Sequence, residues 1–216
     1  RSRTHHPGCS CSPPSLSCVA EMLINLVFGV CNLKLNLILA SGSPRRREML
    51  TEAGFDFEVI PSPAEEIHDV DMPLHLLCEA NAELKALAIA KLHPDATVIG
   101  ADTLVYIDHT PLGKPRSEDE AHATLAQLSG RTHQVCTGVC IAQGENTQRF
   151  HSITEVVFKE LTPQVIDNYM TKVNVMDKAG SYAVQEHGDM IISAVRGDYN
   201  NVVGLPITQL LSKLEL

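Results

Sequence analysis

The sequence predicts an α/β fold, and three observations carry that expectation. Leu37-Ile38-Leu39 reads as a buried strand that runs through a short polar turn into a helix beginning at Pro44. A long helical pattern from Pro73 is followed by a second apolar run at 96–108, so strands and helices alternate. From Gly130 the pattern changes to two strand-like runs separated by Gly144-Glu145-Asn146, the mark of an antiparallel pair. At 216 residues the chain is long enough for one domain, or for two small lobes sharing a cleft, around an apolar core.

The formal net charge of -9 argues against a general nucleic-acid binder, because phosphate backbones are held by basic surfaces. Seven cysteines, an odd number without a repeating frame, suit a reducing compartment and read as free thiols, so the expected location is cytoplasmic. The first 33 residues differ from the rest of the chain, being rich in Ser, Pro, His and Cys and then apolar from Met22 to Leu33. A signal peptide fits only loosely, since Glu21 edges the apolar run and no small-residue cleavage pattern comes after it. The run is also too short to be read as a bilayer span, so no membrane association is expected. The remaining reading is an extension outside the domain, with the domain itself at 34–216. His5, His6, Cys9 and Cys11 match no closed zinc spacing.

Taken in order, the first helix carries Met49, Leu50 and Ala53 at helical spacing and stops at Gly54. Ser43 is a good N-cap and Pro44 suits the first helical position, so free backbone N–H groups point into the turn and make it an anion site. Arg45 and Arg46 are cations at the helix end that prefers acids. Either a phosphate relieves that placement, or Arg45, Arg46 and Arg47 form a solvated face. Residues 55–60 alternate as a strand, Pro61 and Pro63 break it, and 64–69 form an acidic loop. The long helix from Pro73 presents Leu76, Leu77, Ala80, Leu84, Leu87 and Ala88 on one face and ends near His93-Pro94, with Lys85 off the stripe as an ordinary solvent lysine.

The run at 96–108 is interrupted by Gly100, Asp102 and Thr103. A buried strand tolerates a carboxylate badly unless it is paired or binds a metal, so Asp102 is a functional candidate, or else it caps a turn. A turn at 109–112 leads to Gly113-Lys114-Pro115, which completes no Walker loop. A helix capped by Ser117 runs to Leu128. Strands at 134–142 and 147–158 come next, with Cys136 and Cys140 packed as small apolar residues. Thr162-Pro163 opens another helix to about Met170. Residues 177–185 are a small, polar, close-approach loop, and the chain closes with a hairpin near Arg196-Gly197-Asp198, a turn at Asn200-Asn201 and a helix from Leu205-Pro206. There is no internal repeat.

Five separated segments are together similar to one family. They are Ser41-x-Ser43-Pro44-Arg45-Arg46, Gly100-Ala101-Asp102-Thr103, Gly113-Lys114-Pro115, Asp177-Lys178-Ala179-Gly180-Ser181-Tyr182-x-x-Gln185, and Asn201-Val202-Val203-Gly204-Leu205-Pro206. In this order they resemble the Maf family of nucleoside triphosphate pyrophosphatases, from about Leu35 to the C-terminus. The resemblance implies an elongated, twisted mixed sheet flanked by helices, with the nucleotide in a central cleft between two lobes, and a possible homodimer. It also implies hydrolysis between the α and β phosphorus atoms of a nucleoside triphosphate, with a divalent metal such as Mg or Mn. A triphosphate needs cations, a metal clamp and a base, since catalysis here is mostly positioning and charge neutralisation.

By the resemblance, Ser41, Ser43, Arg45, Arg46, Lys85 and Lys114 fall at substrate and phosphate-binding positions, Asp102 at the catalytic carboxylate, and Glu66, with Asp102, at the metal. Arg45, Thr103 and Gln185 match the type acting on dTTP and UTP and not the type acting on 7-methyl-GTP, and the amide of Gln185 suits a pyrimidine edge. Glu186-His187 replaces the small residues usual after that glutamine. The alternatives are a nucleotide-binding regulator of cell division or septum formation, and a pyrophosphatase for other or modified nucleotides. Retention of Asp102, Glu66 and Lys114 favours the enzyme, because a pure binder has no use for a water-activating carboxylate.

Overall fold

The computed structural model describes residues 36–68, 71–108 and 110–214. The extension expected at 1–33, with its histidines and cysteines, lies outside the described residues. Within them the chain order is β1 (Leu37–Leu39), α1 (Pro44–Glu52), β2 (Phe57–Val59), α2 (Leu74–Ala90), β3 (Thr97–Ile107), β4 (Thr110–Leu112) and α3 (Glu118–Leu128). Then come β5 (Thr132–Gln143), β6 (Asn146–Phe158), α4 (Pro163–Lys172), a 3-10 turn (Ala179–Ser181), α5 (Gly188–Ile191), β7 (Ile192–Arg196), α6 (Tyr199–Val203) and α7 (Ile207–Lys213). The cap residues do what the sequence expects of them. The Ser43, Ser117 and Thr162 side chains accept from the backbone N–H groups of Arg46, Glu120 and Val165, and Pro44 and Pro163 open their helices.

All seven strands form one mixed sheet in the order β2-β1-β3-β5-β6-β7, with β4 also on β3. β1 runs parallel to both β2 and β3, and every other pairing is antiparallel. β3 organises the molecule. One of its edges is filled along Thr97 to Tyr106 by β5. Its other edge is shared, with β1 against Thr97 to Ile99 and β4 against Val105 to Ile107. Gly100 to Leu104, with Asp102 at the centre, therefore face a gap between two strands. Such a break, at the carboxyl end of a parallel strand, is where open α/β sheets hold their ligands.

Odd positions of β3 and β5 point to one face of the sheet. There Leu37, Leu39, Leu50, Ile99, Val139 and Leu205 form one cluster under α1 and α7. Val105, Ile107, Leu125, Val135, Phe158 and Tyr169 form a second under α3 and α4, so the core of this face has two lobes. The other face is covered by α2, whose Ala82, Ala86 and Ile89 pack on Ile38, Val98 and Cys140. This corrects the expected helix face: Leu76 and Leu84 are 47% and 39% exposed, while Leu77, Cys78, Asn81, Ala82 and Ala86 are buried. The cause lies on the sheet. A Cβ on Gly100 would stand 2.2 Å from the Ala82 carbonyl oxygen, and one on Gly138 would stand 2.3 Å from the Cys78 carbonyl carbon. The helix backbone lies directly on two glycines, and only its small side chains fit that contact.

Two further expectations fail. Residues 110–112 are a strand, not part of a turn, because they fold back to pair with Val105 to Ile107. No hairpin forms near Arg196; β7 ends there, and Asp198 caps α6 by accepting from the N–H of Asn200 at 2.8 Å. Cys136 and Cys140 are buried free thiols at the α2 interface, as small apolar packing requires. Among the described residues no helix is long and apolar enough to cross a membrane.

Candidate active site

The turn from β1 into α1 is built around Arg46. Its Nε donates to Gly204 O (2.9 Å), its Nη1 to Ser41 Oγ (3.1 Å) and Ala101 O (3.0 Å), and its Nη2 to Thr103 Oγ1 (2.9 Å). Ala101 belongs to the gap in the β3 edge, so the guanidinium occupies the place a neighbouring strand would take. Four of its five N–H groups are spent on neutral oxygens, and no carboxylate pairs with it directly among the described residues. Burial drives the Arg46 guanidinium below its ordinary value, against the pull of the Asp102 charge. A buried cation without a paired counter-ion favours an anion nearby.

Asp102 is 4% exposed, which excludes an exposed turn cap, and its carboxylate is shared between two residues of α2. Oδ1 accepts from Lys85 Nζ at 2.7 Å, and Oδ2 accepts from Asn81 Nδ2 at 3.2 Å. Lys85 also donates to Glu66 Oε1 at 2.6 Å. It is therefore no solvent lysine but a bridge between two carboxylates. Asn81, one turn before Lys85, holds the loop that carries Glu66: its Oδ1 accepts from Ile67 N (2.7 Å) and its Nδ2 donates to Ile67 O (3.1 Å). The helix thus fixes both acids at once.

The loop at 177–185 closes the opposite wall. Gly180 N donates to Gly113 O at 3.1 Å, which joins this loop to the segment bearing Lys114. Lys178, 3% exposed, donates to Asn174 O (2.7 Å) and Asp177 Oδ1 (2.9 Å) and pairs with Glu186 at 3.3 Å, beside Gln185. Burial works to raise the Asp177 carboxyl, but the hydrogen bond and charge of Lys178, with Arg45 beyond, hold it below the usual carboxylate value. Tyr182, in the same loop, meets His133 Nε2 through its hydroxyl at 2.7 Å.

His133 is buried, and that burial lowers its pKa to about 4 from 6.5. Below pH 6.5 the unfolded chain takes up a proton that the native imidazole refuses until about pH 4. Stability is then lost as pH falls across that window, by up to about 3 kcal/mol. Denaturant titrations at pH 7 and pH 4.5 should show this loss in the wild type and a smaller one in His133→Phe. An equal loss in both would show that His133 does not set the acid limit of the fold.

A single cleft of about 990 Å3 unites these groups, and Ser41, Ser43, Arg45, Arg46, Glu66, Lys85, Asp102, Thr103, Lys114 and Gln185 all line it. That volume lies at the upper end of the range for small-ligand sites. Sequence reasoning missed Asn81 and Lys178. An asparagine four residues before Lys85 in an apolar helix was the available signal for the first; the second sits inside the Asp177 to Gln185 motif, which gave it no role. Thr137, fully buried, was also missed, because only the tertiary fold brings it to Thr103; Asn201, which it bonds, lies in the closing motif, which gave it no role.

Among the described residues no three His, Cys, Asp or Glu side chains gather into a metal site. Glu66 and Asp102 nevertheless fit a hard divalent cation. Lys85 engages one oxygen of each, both are oxygen donors, and magnesium is held by one or two carboxylates together with substrate phosphates.

A mixed sheet with a gap in its central strand, cations around the gap and one buried carboxylate within it defines an α/β protein that binds a polyanion in a cleft. The family model described as Maf-like protein matches residues 36–216, and the chain belongs to the Maf family. It is 53% identical over 178 residues to a dTTP/UTP pyrophosphatase of Akkermansia muciniphila, covering 82% of this chain and 94% of that protein. It is 46% identical over 180 residues to a dTTP/UTP pyrophosphatase of Bacillus cereus (strain G9842), covering 83% and 94%. A protein of the same name from Bacillus cytotoxicus is 46% identical over 179 residues, covering 82% and 93%.

Proposed function

We propose that the chain is a nucleoside triphosphate pyrophosphatase that hydrolyses dTTP and UTP to the monophosphate and pyrophosphate with a divalent metal, in the cytoplasm. The observation that carries this reading is the convergence on one cleft of all ten residues singled out from the sequence. The names of the relatives support the substrate pair.

The arrangement accounts for the chemistry. Arg45 and Lys114 meet the phosphate oxygens, Ser41 and Ser43 shape the turn that receives them, and Arg46 lends its charge and one free N–H. Glu66 and Asp102 would hold a divalent cation, which would supply charge neutralisation at the phosphates. Asp102 takes the proton of the attacking water as that water bonds to the α phosphorus; the bond to the bridging oxygen breaks and pyrophosphate leaves. Lys85 and Asn81 hold the Asp102 carboxylate in place for this step. Arg45, Thr103 and Gln185 line this cleft and are assigned to the choice of base, the Gln185 amide offering both a donor and an acceptor to a pyrimidine edge.

We assign the catalytic unit to residues 34–216. The test assays the full chain and a chain beginning at Lys34 against a panel of nucleoside triphosphates with magnesium or manganese. Both should release pyrophosphate from UTP and dTTP well ahead of purines and of 7-methyl-GTP, and chelator should stop them. Preference for 7-methyl-GTP would refute the base assignment, and loss of activity on truncation would place the first residues in the domain.

A further inference from the structure

Gln185 lines the cleft, and among the described residues nothing hydrogen-bonds its side-chain amide. A long side chain without a protein partner can turn its oxygen or its nitrogen toward a base, so its aim has to come from the backbone that carries it. That backbone is held on both sides of Gln185.

Two residues before it, the Tyr169 hydroxyl accepts from Ala183 N at 3.0 Å and donates to Ala183 O at 3.3 Å. Tyr169 lies fully buried on α4, and burial pushes its phenol up to about 12, so it keeps the proton that this pairing needs. Val184 packs against the cluster of Leu37, Leu50 and Leu205. One residue after Gln185, Glu186 Oε1 pairs with the buried Lys178 ammonium at 3.3 Å. Lys178 is itself tied to Asn174 O at 2.7 Å, just past the end of α4, and to Asp177 Oδ1 at 2.9 Å. Both holds therefore trace back to the last turn of α4, and the Glu186 charge adds to the rise at Tyr169. A small residue in place of Glu186 would leave Lys178 without this partner.

We propose that Glu186 and Tyr169 are positioning residues that act through Gln185, holding the chain on either side of it so that its amide meets the base in one orientation. This rests on the pyrophosphatase reading and deepens it by adding two residues to the choice of base. Arg46 and Ser41, which build the phosphate turn, bond none of the residues in this clamp. Loosening the clamp should therefore weaken the choice of base and leave the grip on phosphate intact.

The experiment compares Glu186→Gln, Tyr169→Phe and Gln185→Ala, with each of the first two also combined with the third, on UTP, dTTP and ATP. Glu186→Gln keeps the size of the side chain and removes its charge at a half-exposed position. It should raise KM for UTP and dTTP about fivefold with kcat changed by less than about twofold, and leave ATP within about twofold, so that the preference for UTP over ATP falls. Tyr169→Phe should act in the same direction. On top of Gln185→Ala, either substitution should cost less than about twofold more, because the group it positions is gone. Calorimetric binding of inorganic tripolyphosphate should match the wild type in both single variants. Equal losses on UTP, ATP and tripolyphosphate would overturn the proposal and reduce the clamp to general stability. An unchanged preference in Glu186→Gln, or a full fivefold loss on top of Gln185→Ala, would overturn it as well. Should Tyr169→Phe not fold, Glu186→Gln carries the test alone. Should the wild type turn over neither nucleotide, the same preference is read from binding of non-hydrolysable UTP and ATP analogues. A clamp-dependent preference there would count against the pyrophosphatase reading alone.

Discussion

Asp102→Asn should lower turnover of UTP on the order of a hundredfold or more while the protein remains folded, as expected for loss of a positioned acid–base group. The substitution keeps size and removes the basic oxygen. It also carries a specific structural cost. Asp102 accepts from both Lys85 and Asn81, and an asparagine can turn its oxygen toward only one of them. The other donor loses its partner, at about 1–3 kcal/mol, which a domain of this size survives. Because Asn81 also clamps Ile67, part of the rate loss reflects a looser Glu66 loop. Thermal unfolding and steady-state kinetics on the same preparation separate the two effects. A variant that keeps most of its rate would leave Asp102 as a structural hydrogen-bond acceptor.

The largest expected effect on stability comes from Gly138→Ala. The added Cβ would meet the Cys78 carbonyl carbon and oxygen at 2.3 and 2.4 Å and the Glu79 nitrogen at 2.5 Å, all backbone atoms of α2. Backbone of a packed helix cannot swing aside as a side chain end does, so the helix must lift from the sheet. Overpacking of this kind costs about 3 kcal/mol or more. Activity should fall with stability, since the displaced helix carries Asn81 and Lys85. Gly113→Ala is the control for stability, with nothing within 4 Å of its added Cβ. Equal melting temperatures for the two variants would show that α2 does not lie this close to the sheet.

The parts of this fold that were legible in the sequence are those governed by neighbours along the chain. Ser43 with Pro44, Ser117, and Thr162 with Pro163 each announce a helix through a side chain reaching three residues on, and the Gly144-Glu145 turn announces the β5–β6 pair. The face of α2 was misread because its leucines lie on both sides, and what selects the buried side is a pair of glycines distant in sequence. The short β4 strand and the α6 turn depend likewise on partners far along the chain.

The candidate site was legible in a different way. Asp102 stood out on physical grounds, as a carboxylate in an apolar run. Lys85 did not, and only the resemblance singled it out; its bond to Asp102 crosses from helix to sheet. Thr103 was legible as a site residue but its partners were not, because Arg46 and Thr137 meet it only in the folded chain. Arg46 was expected on phosphate, and its four bonds to protein oxygens make it first a part of the frame that receives phosphate.

A cleft that directs water to the α phosphorus of a pyrimidine nucleoside triphosphate leaves a signature in where the oxygen of that water ends. Hydrolysis of UTP in isotopically labelled water reads it most directly, with the products separated and weighed. The label should appear in the monophosphate, with unlabelled pyrophosphate as the other first product. Label in the pyrophosphate, or orthophosphate as the first product, would contradict attack at the α phosphorus.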